Sequence, residues 1–208
     1  MDKKILENLK EKYCIRMPLS GIVTSTFEKL SDGFLKNMLN KSESTFAYLG
    51  YDIKKGSRWE MRFYRDKDKE HPVLEVFENK KAWLSSSGYE IKDLETGKVL
   101  GAWVPKKRLL KFFLRQRYDL VVDGQVVMQS PGDSAFMLFL SIFLPHARRL
   151  FARRVMSQDK TRVAKIRCIS TCGNGAVYVT PQNKNKRIED DETALFVSVL
   201  AAISGLED

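Results

Sequence analysis

Cysteine, histidine and proline are scarce in this 208-residue chain, at three, two and six. Each scarcity closes a class of function. Cys14, Cys168 and Cys172 are odd in number, and the start Met1-Asp2-Lys3-Lys4 leads into an amphipathic stretch with no apolar signal segment. Reduced thiols and a cytoplasmic chain, peripheral to a membrane if it meets one, are therefore expected. Cys168 and Cys172 make one short half of a metal site, and His71 and His146 stand at no zinc-finger spacing from another ligand, so no metal and no cofactor is expected. No glycine-rich phosphate loop or nucleophile elbow occurs, because Cys172-Gly173-Asn174-Gly175 reads as a turn before a strand at Ala176–Thr180. Asp66, Asp68 and Glu70 alternate like a calcium loop but lack its glycine and distal glutamate, and lysines separate them. The chain offers no catalytic motif, and a non-enzyme is expected. Apolar runs are short as well: neither Phe136–Leu144 nor Thr193–Leu206 approaches the roughly 20 residues that cross a bilayer as a helix.

What is present begins with that last run. Asp190 or Asp191 can cap a helix, acidic groups suit its N-terminal end, and Gly205 suits its exit. From Ala194 to Ile203 the apolar side chains fall on every side of a helical wheel, broken only by Ser198. Such a helix must be buried all round. Its β-branched residues leave a strand as the competing reading.

The rest of the chain changes texture near Ser44. Residues 2–13 place Ile5, Leu6, Leu9 and Tyr13 at helical spacing, and Leu19–Leu39 also suits helical pieces, with a strand at Gly21–Phe27 as the alternative. Residues 1–44 are accordingly expected as a helical extension packed on a domain at 45–208. Beyond it come short strand-like runs: Thr45–Lys54, Ser57–Arg65, Val73–Phe77, Lys81–Ser85, Gly88–Lys92, Lys98–Val104, Phe112–Val122 and Gln125–Gln129. Turn-prone groups such as Glu95-Thr96-Gly97 and Asp123-Gly124 separate them. Regular short strands with tight turns predict an antiparallel meander closing into a barrel or sandwich.

Charge is concentrated. Fifteen Lys or Arg stand against four Asp between Lys98 and Arg167, while the remaining residues hold 21 basic and 22 acidic groups. Lys106, Lys107, Arg108, Lys111, Arg115 and Arg117 form one cluster free of acids. A second lies in an insertion at 133–158, where an apolar helix from Asp133 or Ser134 ends at Pro145 and a basic helical segment follows. There Arg148, Arg149, Arg153 and Arg154 share nearly one helical face. These ten cations are the candidate sites for anionic lipid or phosphate. Phe136, Leu138, Phe139, Phe143 and Leu144 are either core or a surface that enters a membrane interface or docks a partner.

Three segments share a hairpin pattern, starting at Tyr51, Tyr89 and Tyr118. Tyr89, Ile91, Asp93, Gly97 and Leu100 show it most fully, and Gly101-Ala102-Trp103-Val104-Pro105-Lys106-Lys107 follows. Together with the closing Asp191–Leu206 segment, this pattern resembles the superfamily of phospholipid scramblases, plant LURP-one-related proteins and tubby C-terminal domains, over about Phe46–Gln129 and Arg162–Leu206. The resemblance implies a mainly β (α+β) fold: a closed antiparallel barrel of hairpins threaded by a hydrophobic C-terminal helix. It also implies membrane association through phospholipid binding. The proline-rich region, the cysteine cluster and the calcium-binding segment of animal scramblases are missing. The expected function is binding of an anionic membrane surface or phosphoinositide. Nucleic-acid binding through the same cations and a protein-interaction scaffold are the alternatives.

Overall fold

The computed structural model describes residues 3–18, 24–29, 45–54, 58–79, 88–106, 116–132, 139, 152–171, 174–185 and 187–207. Period-two burial drives the architecture. Tyr89, Ile91 and Asp93 alternate with half-buried charges along one strand, as do Ala164, Ile166 and Cys168 with Lys165 and Arg167 along another. Such strands need a partner for one face only, and here they find it by closing on themselves.

After α1 (Lys3–Leu9) come β1 (Tyr13–Pro18), β2 (Thr24–Lys29), β3 (Thr45–Lys54), β4 (Arg58–Tyr64), β5 (Pro72–Asn79) and β6 (Gly88–Asp93). They continue as β7 (Val99–Lys106), β8 (Arg117–Val122), β9 (Gln125–Ser130), β10 (Arg153–Ser157), β11 (Arg162–Thr171) and β12 (Asn174–Pro181). Each strand pairs antiparallel with the next, and β1 pairs with β12, so the meander is a closed barrel. Twelve strands of ordinary spacing and tilt close at a backbone diameter of about 24 Å. A helix with its side chains takes up about 10–12 Å of that width.

That helix is α2 (Asp191–Glu207). Asp190 caps it, its carboxylate accepting the Thr193 amide at 2.7 Å, and every residue from Ala194 to Ser204 is buried. Its two serines return their hydroxyls to the carbonyls of Leu195 and Leu200, so neither leaves a polar group unpaired in the barrel. Trp103 Nε1 donates to the Phe196 carbonyl at 2.9 Å, and Cys168 Sγ lies 3.8 Å from the Ser204 carbonyl. Gly101 keeps the wall thin where the helix passes: a Cβ there would stand 3.0 Å from the Val121 carbonyl and 3.3 Å from the Phe196 ring. The stretch is thus a helix and not the competing strand.

The chain start corrects the expectation of a helical extension over 1–44. Only Lys3–Leu9 of its described residues is helix, whereas Tyr13–Pro18 and Thr24–Lys29 close the barrel. Tyr13, Ile15 and Phe27 point inward and are fully buried. The reason is non-local, since β1 is defined by pairing with β12, whose sequence lies some 160 positions away. The expected strand at Lys81–Ser85 and the start of the one at Phe112–Val122 lie outside the described residues.

The two rims differ. The proximal rim is where α2 starts; there the Ile188 amide donates to the Lys10 carbonyl at 2.7 Å, and Lys10 pairs with Asp191 at 2.5 Å. β6 and β7 are joined on this rim by the turn of the hairpin pattern. Asp93 turns its carboxylate inward to accept the Glu95 amide and the Thr96 hydroxyl, and Gly97 takes φ 71°. On the opposite, distal rim lie the ends of β3, β5, β7, β9 and β11 and the starts of the strands that follow them.

Candidate functional site

Strand direction gathers the charge. The segments joining strands at the distal rim (19–23, 55–57, 80–87, 107–116, 131–152 and 172–173) carry nine basic residues against Asp133 alone. These nine are Lys55, Lys80, Lys81, Lys107, Arg108, Lys111, Arg115, Arg148 and Arg149. The segments joining elements at the proximal rim (30–44, 65–71, 94–98, 123–124, 158–161 and 182–190) carry ten basic and ten acidic residues. By sequence, the connections leaving the strands at the distal ends are thus net basic, and those at the proximal ends are balanced. The described members of the two expected clusters lie at the same end of their strands, because Lys106 ends β7, Arg117 begins β8 and Arg153 begins β10.

Individual cations differ in what they already hold. Asp119 faces outward from β8 yet is only 3% exposed; Lys106 reaches it at 2.6 Å and Arg117 at 3.5 Å. Arg117 also donates to Gln129 Oε1 at 3.2 Å. The cluster that is free of acids in sequence therefore has a buried carboxylate set into its base, which fixes the two cations flanking the β7–β8 connection. A buried carboxylate of this kind holds geometry, since removing its more exposed cations strands its charge.

Arg153 and Arg154 do not share a helical face. They open β10, where successive side chains point to opposite sides of the sheet, and this corrects the helical reading of the insertion's end. Arg153 points into the barrel mouth and is 5% exposed; its guanidinium lies 5.3 Å from the centre of the Tyr118 ring and donates to the Gln116 carbonyl at 3.3 Å. Tyr118 packs in turn on Tyr89, ring centres 5.8 Å apart. Arg153 is a wall component of the mouth, held by a ring face and a carbonyl. Arg154 is exposed on the outer wall, directly opposite Lys165 of β11.

Phe139 is at a helical position and 59% exposed, a large apolar side chain turned to solvent. Lys107, Arg108, Lys111, Arg115, Arg148 and Arg149, together with Phe136, Leu138, Phe143 and Leu144, lie outside the described residues. Among the described residues no helix is long and apolar enough to cross a membrane, and no group of three or more His, Cys, Asp or Glu is placed to hold a metal ion. The buried Cys14 thiol is pushed up to about 12, mainly by burial and then by the Glu28 carboxylate, so it is a poor nucleophile at neutral pH.

Lys165 and Arg167 are two outer-wall cations that the sequence reading did not single out. Their signal was legible as Ala164-Lys165-Ile166-Arg167-Cys168, a clean alternation whose polar members must share one face of a strand. No family model, curated protein or solved structure matches the chain.

Proposed function

We propose that the protein is a non-enzymatic binder of anionic membrane surfaces, phosphoinositide-bearing ones included, and that its distal rim faces the bilayer. The uneven charge of the connecting segments carries this reading: nine cations to one anion in the sequences that join strands at the distal ends, ten to ten in those at the proximal ends. The sequence at the basic end interleaves charge with apolar bulk, as in Lys107-Arg108-Leu109-Leu110-Lys111-Phe112-Phe113-Leu114-Arg115 and Lys80-Lys81-Ala82-Trp83-Leu84. Amphipathic stems and aromatic rings suit the boundary between headgroups and acyl chains, and each basic residue near an anionic leaflet contributes about 1 kcal/mol. Phe139, in the segment between β9 and β10, adds an exposed apolar side chain. The likeness to scramblase and tubby domains supports the reading, because a barrel threaded by its terminal helix is the architecture that likeness implies.

Co-sedimentation with vesicles tests it. Vesicles containing phosphatidylserine should recover the protein at low salt, phosphatidylcholine vesicles should not, and added salt should release it. Equal recovery with both kinds at low salt would sink the idea.

A further inference from the structure

Two stretches of the barrel's outer wall carry opposite charge. On β5 the fully buried Leu74 and Val76 alternate with Glu75 and Phe77, which therefore point outward. Phe77 stands directly opposite Glu60 of β4 on one side and Glu90 of β6 on the other, and Glu75 is two positions along the same face. A half-buried ring is thus set among three carboxylates. The cations on this wall are fewer. Arg62 donates to Glu75 at 2.9 and 3.1 Å and also pairs with Glu60, and Lys92 stands directly opposite Glu75. Three carboxylates to two cations leave the wall net negative. The second stretch lies on β10 and β11. Arg154 stands directly opposite Lys165, and Arg167 is two positions along from Lys165 on the same face. Like charges set opposite one another destabilise a sheet. Across β12 their neighbours are Thr180 and Tyr178, and among the described residues these three cations have no ion-pair partner.

We infer that the β4–β6 wall of one copy of this chain docks on the β10–β11 wall of a second copy. Each charged group spans about 10 Å or less of its sheet, so the long side chains of one can reach the other. An arginine laid on the Phe77 ring has carboxylates on both sides, and cation–π attraction and ion pairing then act on one side chain. The contact also brings Arg154 and Lys165 the counter-charge that their own sheet does not supply. Exposed ion pairs contribute little singly, so the association is weak. In the closed ring of twelve strands β5 is six strands from β11, which places the two walls on opposite sides of the barrel. A twofold pair would use the same patch on both copies. Here each docked copy leaves one wall unused, and the contact propagates as a row of barrels. The inference concerns the strands alone and does not depend on the membrane reading of the connections.

Sedimentation velocity of the full chain at concentrations up to about 1 mM tests the contact. At about 0.1 M salt the screening length is about 10 Å, so the distant charges of the +10 chain are quenched while charges within a contact still act. The average mass should climb with concentration past that of a dimer without a plateau, and about 1 M salt should return it to the monomer. Arg154→Gln/Lys165→Gln/Arg167→Gln and Phe77→Ser/Glu90→Gln should each stay monomeric. Glu90→Lys, which keeps the ring and the Arg62 pairs, should by itself weaken association about tenfold. Lys67→Gln/Lys98→Gln/Lys184→Gln, which removes the same charge from exposed proximal positions, should associate like the parent within about twofold. Mixed in equal amounts, the two multiple wall variants should form a one-to-one pair and nothing larger, because each keeps one working wall. A parent that stays monomeric up to about 1 mM overturns the contact and returns both walls to other partners. A mixture that fails to pair, a wall variant that associates like the parent, or a parent mass that stops at the dimer overturns it equally.

Discussion

A one-residue step separates two neighbouring arginines with opposite fates. Arg153 is buried on the Tyr118 ring, and Arg154 is in solvent. Truncating the first removes a cation–π contact, a hydrogen bond and packing together; truncating the second removes none of these. Arg153→Ala should cost about 1–3 kcal/mol in urea unfolding, whereas Arg154→Ala should stay within about 0.5 kcal/mol. Equal losses would mean that the two do not occupy opposite faces of β10. Sequence alone misassigned this pair for a definite reason. Arg148, Arg149, Arg153 and Arg154 satisfy helical spacing, and adjacent identical residues hide the period of two that Val155 would otherwise reveal.

At the scale of elements, the legible parts were those whose pattern is local. Thr45–Lys54 is a strand over its whole expected range, and the Tyr89 hairpin turns at Gly97 with Ile91 inward. β1 was not legible, and β2 only as the strand at Gly21–Phe27 that competed with helical pieces, because a six-residue strand gains its identity from partners that the local window does not contain. The turn between β10 and β11 is another local device. Asp159 accepts the Thr161 amide at 3.1 Å and the Thr161 hydroxyl at 2.7 Å, and it bonds the Ser157 hydroxyl. Those hydrogen bonds, the Ser157 one foremost, hold its carboxyl at about 2, below the ordinary 3.8. A depressed carboxyl contributes stability that is complete above its unfolded value and lost as pH falls through the folded one. The Tm advantage of the parent over Asp159→Asn should therefore be constant above about pH 4 and shrink steadily toward pH 2. A difference that persists unchanged to pH 2 would contradict the assignment. For α2, Leu200→Asp places an unpaired charge at a fully buried position inside the barrel. The cost should exceed about 4 kcal/mol and leave no cooperative unfolding transition. A variant of near-parental stability would show that the helix does not organise the core.

Seen whole, the molecule combines net-basic connecting sequences at one set of strand ends with a wall that is sealed edge to edge. The charge excess of the middle third was readable from composition. Its direction was not, because only strand order determines which connections share a rim. The salt dependence of vesicle binding belongs to this scale: many weak contacts from one rim should give steep loss of binding between low and physiological ionic strength, with no single substitution abolishing it.

Closure also sets the order in which the chain can become safe. β1 is synthesised first but pairs with β12, and the helix that fills the lumen follows β12. Until that helix arrives, each strand's inner face, Ile15, Leu49, Leu74 and Ile91 among them, has nothing to cover it. Contacts so distant in sequence make folding slow, of the order of milliseconds to seconds, and leave a nascent chain with open sheet edges and bare apolar surface. The same seal that gives the finished barrel no free edge thus makes its biogenesis a race between completing the last seventeen residues of α2 and aggregation, the stage at which a chaperone has most to hold.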